Sequence, residues 1–193
     1  MEWRATGWSL AAAMLLATST ALAAPNYRYS IDPVASSVDA KVSFLGIGNR
    51  KALFPALRGS VVLSPDRMDQ INLDVSIDAT QLKADDSVTT KRLKGPDFFN
   101  VGKYPTVRFQ GTQLAMTSTT SGVVHGNLTA RGVTRPVALN VTFSSSPASS
   151  IGKESMRLTG ITTVNRKDFG MTAYSLVVGK KVAITIRTKL LPS

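Results

Sequence analysis

The chain alternates apolar and polar residues with period two over much of its length, and no other feature restricts its fold as much. Along Val38-Asp39-Ala40-Lys41-Val42-Ser43-Phe44 and along Ile71-Asn72-Leu73-Asp74-Val75-Ser76-Ile77-Asp78 the apolar side chains fall on one face, as a half-buried strand requires. The pattern returns at Val137, Leu139, Val141 and Phe143 and at Val182, Ile184 and Ile186, and more weakly over 58–63, 107–114, 123–130 and 156–163. About eight strands are expected, several divided by turn formers (Ser64-Pro65-Asp66, Ser121-Gly122, Gly179). The fold class is therefore all-β, either a sandwich or a closed barrel, and alternation alone does not choose between them.

Two stretches interrupt the alternation. Over 85–95, Asp85 or Asp86 can cap a helix, Val88, Lys91 and Arg92 follow at helical spacing, and Gly95-Pro96 stops it, so one short helix is expected. The serine-rich segment 144–150 has no periodicity and reads as a mobile hairpin loop.

Residues 8–17 have the length and apolarity of a secretory h-region, and Ala21-Leu22-Ala23 supplies a small-x-small cleavage pattern with Pro25 beyond it. The reading is a signal peptide over 1–23, a single domain over 24–193, and a periplasmic or secreted product. Glu2 offsets Arg4, so the n-region carries little positive charge. The apolar run is shorter than the roughly 20 residues of a membrane-spanning helix. Removing 1–23 leaves about 170 residues, enough for one domain to bury about two thirds of its unfolded surface. The absence of cysteine excludes disulfides, thiol chemistry, Cys-ligated zinc and a lipoprotein anchor.

The formal net charge of +11 survives the loss of Glu2 and Arg4. Lysine and arginine are scattered over many segments without a nucleic-acid motif, so no nucleic-acid partner is expected. An anionic membrane surface, a lipid phosphate or plain solubility accounts for the same charge.

The run Gly95-Pro96-Asp97-Phe98-Phe99-Asn100-Val101-Gly102-Lys103-Tyr104-Pro105, followed by Val107-Arg108-Phe109, resembles the signature of the YceI family. Gly126-Asn127-Leu128-Thr129-Ala130-Arg131-Gly132-Val133-Thr134-Arg135-Pro136-Val137 continues the match, as does Asp168-Phe169-Gly170 ahead of Lys181-Val182-Ala183-Ile184-Thr185-Ile186. The resemblance runs from about Tyr29 to Leu190. It implies an exported, eight-stranded antiparallel lipocalin-like β-barrel with one short helix, holding a polyisoprenoid or isoprenoid quinone for sequestration or transport. It further implies that Phe44, Val75, Ile77, Phe109, Leu128, Leu139 and Phe143 line an apolar tunnel, with Phe98, Phe99 and Phe169 as further ligand-binding positions.

Phe98 and Phe99 are adjacent, so on an extended segment one faces inward and the other packs the helix to the barrel. A phosphate head group would need cations at the barrel mouth. Arg92, Arg131 and Arg166 are the leading candidates, ahead of Lys94, Arg135 and Lys167. Arg92 and Arg131 stand where relatives commonly carry histidine, as does Ala35, and Thr89-Thr90 replaces a usual Arg-Asp pair. In place of those contacts the two arginines suit an anionic head group.

Catalytic templates find little to build on. His125 is the lone histidine, on an expected strand, and no Gly-x-Ser-x-Gly elbow occurs, so neither a multi-histidine metal site nor a serine triad is expected. Gly46-Ile47-Gly48 reads as a turn, and the glycosylation-like Asn127-Leu128-Thr129 and Asn140-Val141-Thr142 fall inside strands. The expectation is a binding protein without catalytic residues, metal or cofactor. The alternatives are a hydrolase or isomerase acting on such a lipid, or a basic barrel working at an anionic membrane. The oligomeric state is open, a homodimer included.

Overall fold

Strands that bury one face and wet the other must either expose their edges or close on themselves, and here they close. The computed structural model describes residues 25–46 and 48–193; the signal peptide expected over 1–23 lies outside them. The strands are β1 (Tyr27–Ile31), β2 (Ser37–Phe44), β3 (Gly48–Phe54), β4 (Leu57–Leu63), β5 (Gln70–Asp78), β6 (Lys83–Ala84), β7 (Thr106–Met116), β8 (Ser121–Ala130), β9 (Val133–Phe143), β10 (Met156–Asn165) and β11 (Val178–Pro192).

Three pairs of these segments are single strands broken at a corner. β1 pairs with β4 as β2 pairs with β3, and β4 pairs with β5 as β3 pairs with β6. The 15-residue β11 spans the corner, meeting β2 over 178–187 and β1 over 190–192. The result is the expected closed eight-stranded antiparallel barrel, counting β1/β2, β3/β4 and β5/β6 as one strand each. Local chemistry makes the corners. The Asp32 carboxylate accepts N–H bonds from Val34 and Ala35 at 3.0 and 3.2 Å, Pro55-Ala56 separates β3 from β4, and a 3₁₀ turn, Ala79–Gln81, separates β5 from β6.

The expected helix is α1 (Ser87–Lys94), capped by Asp86, whose carboxylate accepts the Thr89 N–H at 2.7 Å. Val88 points to solvent, while Thr89, Arg92 and Leu93 face the barrel. The segment 144–150 is not a bare loop. It holds a one-turn helix, α2 (Pro147–Ser150), with Pro147 fully buried. Tyr29, also fully buried, fixes it by donating its hydroxyl to Ser150 O at 3.3 Å and accepting the Gly152 N–H at 2.7 Å. That end of the barrel is plugged. The turn expected at Ser121-Gly122 falls earlier, at 117–120, and Gly179 lies in a β-bulge of β11.

Candidate functional site: an apolar cavity with a cationic mouth

The barrel interior is not filled. Leu73, Val75, Leu128, Val137, Ile184 and Ile186 lie on inward positions of their strands yet remain only half-buried, because they border a cavity of about 400 Å³. Phe44, Val75, Ile77, Phe98, Phe99, Phe109, Leu128, Leu139, Phe143 and Phe169 all lie on its wall. The expectation that Phe98 and Phe99 face opposite ways does not hold. Residues 95–99 form tight turns that continue α1, with Phe98 N–H bonded to Gly95 O at 3.2 Å and Phe99 N–H to Leu93 O at 3.0 Å. Both rings therefore reach the cavity, and Phe99 meets Phe54 edge-on with ring centres 5.4 Å apart.

Polar groups on the wall gather at one end. Arg50 and Lys51 of β3, Thr89 and Arg92 of α1, Arg166 after β10 and Tyr174 before β11 stand around the opening. Two other wall hydroxyls are internally bonded, Thr162 to Ala138 O at 2.8 Å and Thr188 to Ser36 Oγ at 2.7 Å. Across the mouth four side chains are linked by cation–aromatic and ring-stacking contacts. Arg92 lies 5.1 Å from the Tyr174 ring centre, Tyr174 is parallel to Phe98 at 5.9 Å, and Arg166 lies 5.9 Å from the Phe98 ring centre. Such cation–aromatic contacts strengthen as water is excluded.

The three leading head-group candidates have different fates. Arg92 is exposed at the opening. Arg166 is buried and donates to Gly179 O from Nε at 3.0 Å, to Met171 O from Nη1 at 2.5 Å and to Val178 O from Nη2 at 3.0 Å. Burial pushes its pKa below the usual arginine value. Arg131 stands outside the cavity wall: its guanidinium donates to Gly170 O and, at 2.7 Å, to Pro96 O, tying the β8–β9 turn to the segments over the mouth. Lys94, Arg135 and Lys167 are off the wall too. The hydroxyl of Thr89 is held by the Asp86 carboxylate at 2.7 Å. His125 lies on the exposed face of β8. Sequence reasoning missed Arg50, Lys51 and Tyr174. The two cations lie in β3, a strand the alternation does not mark, and Tyr174 lies in an aperiodic segment.

Residues 29–190 match the YceI-like domain. The chain belongs to the YceI family. Among its relatives, a UPF0312 protein of Pseudomonas putida strain GB-1 is 29% identical over 157 residues, covering 81% of each chain. A UPF0312 protein of Vibrio cholerae is 26% identical over 148 residues, covering 77% of this chain and 78% of its own. Of solved structures, Burkholderia cenocepacia BcnA superposes with a TM-score of 0.73 at 20% identity, covering 82% of this chain and 98% of that one. A polyisoprenoid binding domain from Saccharophagus degradans, implicated in plant cell wall breakdown, gives 0.65 at 14% identity, covering 86% and 98%. At these identities the structural likeness establishes the shared barrel. In this YceI-family chain the barrel encloses an apolar space that opens between α1, β3 and the segment before β11.

Proposed function

We propose that this YceI-family barrel is an exported, non-catalytic carrier that holds one long isoprenoid lipid, a polyprenyl phosphate or an isoprenoid quinone, in the periplasm or outside the cell. The observation that carries the reading is the polarity of the cavity wall: apolar along its length, with unengaged polar groups only at the mouth. That matches a ligand with a long apolar tail and one polar end. The likeness to the Saccharophagus degradans domain supports the same ligand class. Each buried CH₂ contributes about 0.8 kcal/mol, so an isoprene unit of five carbons gives roughly 4 kcal/mol before the cost of ordering the chain. Several units suffice for tight binding without any strong polar contact. Among the described residues, the wall carries no carboxylate, histidine or serine to serve as base or nucleophile.

Native mass spectrometry of the protein purified from its own host, with extraction of any bound lipid, tests this. A stoichiometric isoprenoid is expected. A clean apo mass, unchanged after addition of quinones and prenyl phosphates, would overturn the carrier reading. Turnover of the bound lipid that stops on mutation of one mouth residue would replace the carrier with a lipid hydrolase or isomerase.

A further inference from the structure

Cations that are scattered along the sequence are collected by the topology. The segments at the open end of the barrel are 41–51, 85–105, 131–132 and 165–181, and they hold twelve Lys and Arg against Asp85, Asp86, Asp97 and Asp168. Eight of the eleven net positive charges therefore belong to one end. The connections at the plugged end, 64–69, 117–120 and 144–155, hold Arg67 and Lys153 against Asp66, Asp69 and Glu154. The molecule is electrically polar along the barrel axis.

The same open end presents apolar side chains to water. Leu176 is 100% exposed, Val88 67%, Leu45 53% and Tyr174 44%. Leu45, on the β2–β3 turn, and the 174–177 segment are joined through Leu45 N–H to Val177 O at 2.7 Å, so two of the protruding groups belong to one connected rim. Arg50 lies 4.9 Å from the Phe44 ring and Arg92 packs on Tyr174, which hold two cations at the opening. Lys180 and Lys181 are exposed beside it. Among the described residues the ion pairs are Arg108–Asp74 and Arg187–Asp39, neither drawn from these segments.

From this arrangement we propose that the open end of the barrel docks on an anionic lipid bilayer, with Leu176, Leu45 and Tyr174 entering the headgroup layer and the surrounding lysines and arginines meeting lipid phosphates. Apolar side chains protruding through a cationic ring suit a bilayer interface, where each element finds its partner at a different depth. A second copy of the chain is a poor occupant, because it would bring like charge against like charge. The cavity opens inside the ring, so docking sets its mouth against the bilayer. The inference does not depend on the carrier reading, since it concerns the rim and not the contents of the barrel.

The chain has no cysteine, so Leu176→Cys and, as control on the outer wall, Ile161→Cys can each be labelled with one polarity-sensitive fluorophore. Vesicles of equimolar phosphatidylglycerol and phosphatidylcholine at about 0.1 M salt should shift the emission of the label at 176 to the blue and leave that at 161 unchanged; pure phosphatidylcholine should shift neither. Neutralising both lysines (Lys180→Gln with Lys181→Gln) should weaken vesicle binding roughly 25-fold, at about fivefold per charge. Equal responses at 176 and 161, affinity unchanged by the double substitution, or no binding to the anionic vesicles would each overturn docking. Native mass spectrometry on the same preparations reports the cavity contents separately, so loss of docking with lipid retained leaves the carrier reading standing.

Discussion

Arg166 brings a guanidinium into the barrel wall with 4% of its surface exposed, and among the described residues no carboxylate pairs with it. Its charge is met by the carbonyls of Met171, in the segment between β10 and β11, and of Val178 and Gly179, at the start of β11. The residue therefore holds the mouth together. Arg166→Met should lower the unfolding free energy by roughly 3 kcal/mol, because three carbonyls lose their donors at once. Arg166→Lys should recover less than half of that, since an ammonium cannot reproduce a planar fork reaching three acceptors. Urea denaturation measures both. A stability unchanged by Arg166→Met, with lipid occupancy lost, would show that the side chain serves ligand and not loop. Arg131 illustrates why such roles are hidden in a sequence. Its partners, Pro96 and Gly170, lie 35 and 39 residues away, and only closure of the barrel brings them to it.

Among elements, β2, β4, β5 and β7 to β11 were legible because a half-buried sheet writes its two faces into alternate residues, whereas β1, β3 and β6 lie outside the alternating stretches. The failures lie where the backbone departs from that rule. In β7 a bulge between Gly111 and Gln113 shifts the parity, so Leu114, not Gln113, follows Val107 and Phe109 onto the cavity wall. The corners that split three strands depend on single residues such as Asp32 and on a proline, signals that also fit ordinary turns. Residues 95–99 turn where the sequence suggests an extended segment, because turns carry no apolar period. Helix α1 was legible through its cap, and the cap makes a prediction. Bonds from the Thr89 N–H and hydroxyl hold the Asp86 carboxyl below its ordinary pKa. The cap is thus complete above the unfolded carboxylate range near about pH 3.9 and is lost as pH falls through the lower folded value. Protection of the Thr89 and Thr90 amides, measured as exchange relative to the intrinsic rate at each pH, should fall in acid, and Asp86→Ala should show the low protection already at neutral pH. Asp86→Asn should keep protection high at neutral pH, because its side-chain oxygen also accepts at an N-cap, and should remove the loss of protection in acid. Unchanged exchange in Asp86→Ala would mean that packing of Leu93, not the cap, orders α1.

At the scale of the whole molecule, a cysteine-free barrel that leaves its interior open gives up packing that a filled core would supply. Closure compensates in part by leaving no strand edge around the ring. A closed but unfilled barrel separates two properties that are coupled in an ordinary core, so its interior can be filled without breaking its fold. Val137 is suited to the test. It faces the cavity from β9, is only half-buried, and pairs across to Gly126 of β8, which has no side chain to obstruct a larger neighbour. In Val137→Trp the indole extends into open space. Its burial gains about 3 kcal/mol, and overpacking costs about 1–3 kcal/mol, so stability should stay within about 2 kcal/mol of the parent. Lipid occupancy, read by native mass spectrometry, should fall at least tenfold, because the ring takes the path of the apolar tail. Ile161→Trp, on the outer wall, should keep its lipid. If Val137→Trp retains full occupancy with stability unchanged, the lipid does not run past β9, and the tail must occupy the part of the cavity nearer the mouth. If it unfolds, the interior is packed in solution, and the open space that carries the functional reading does not exist.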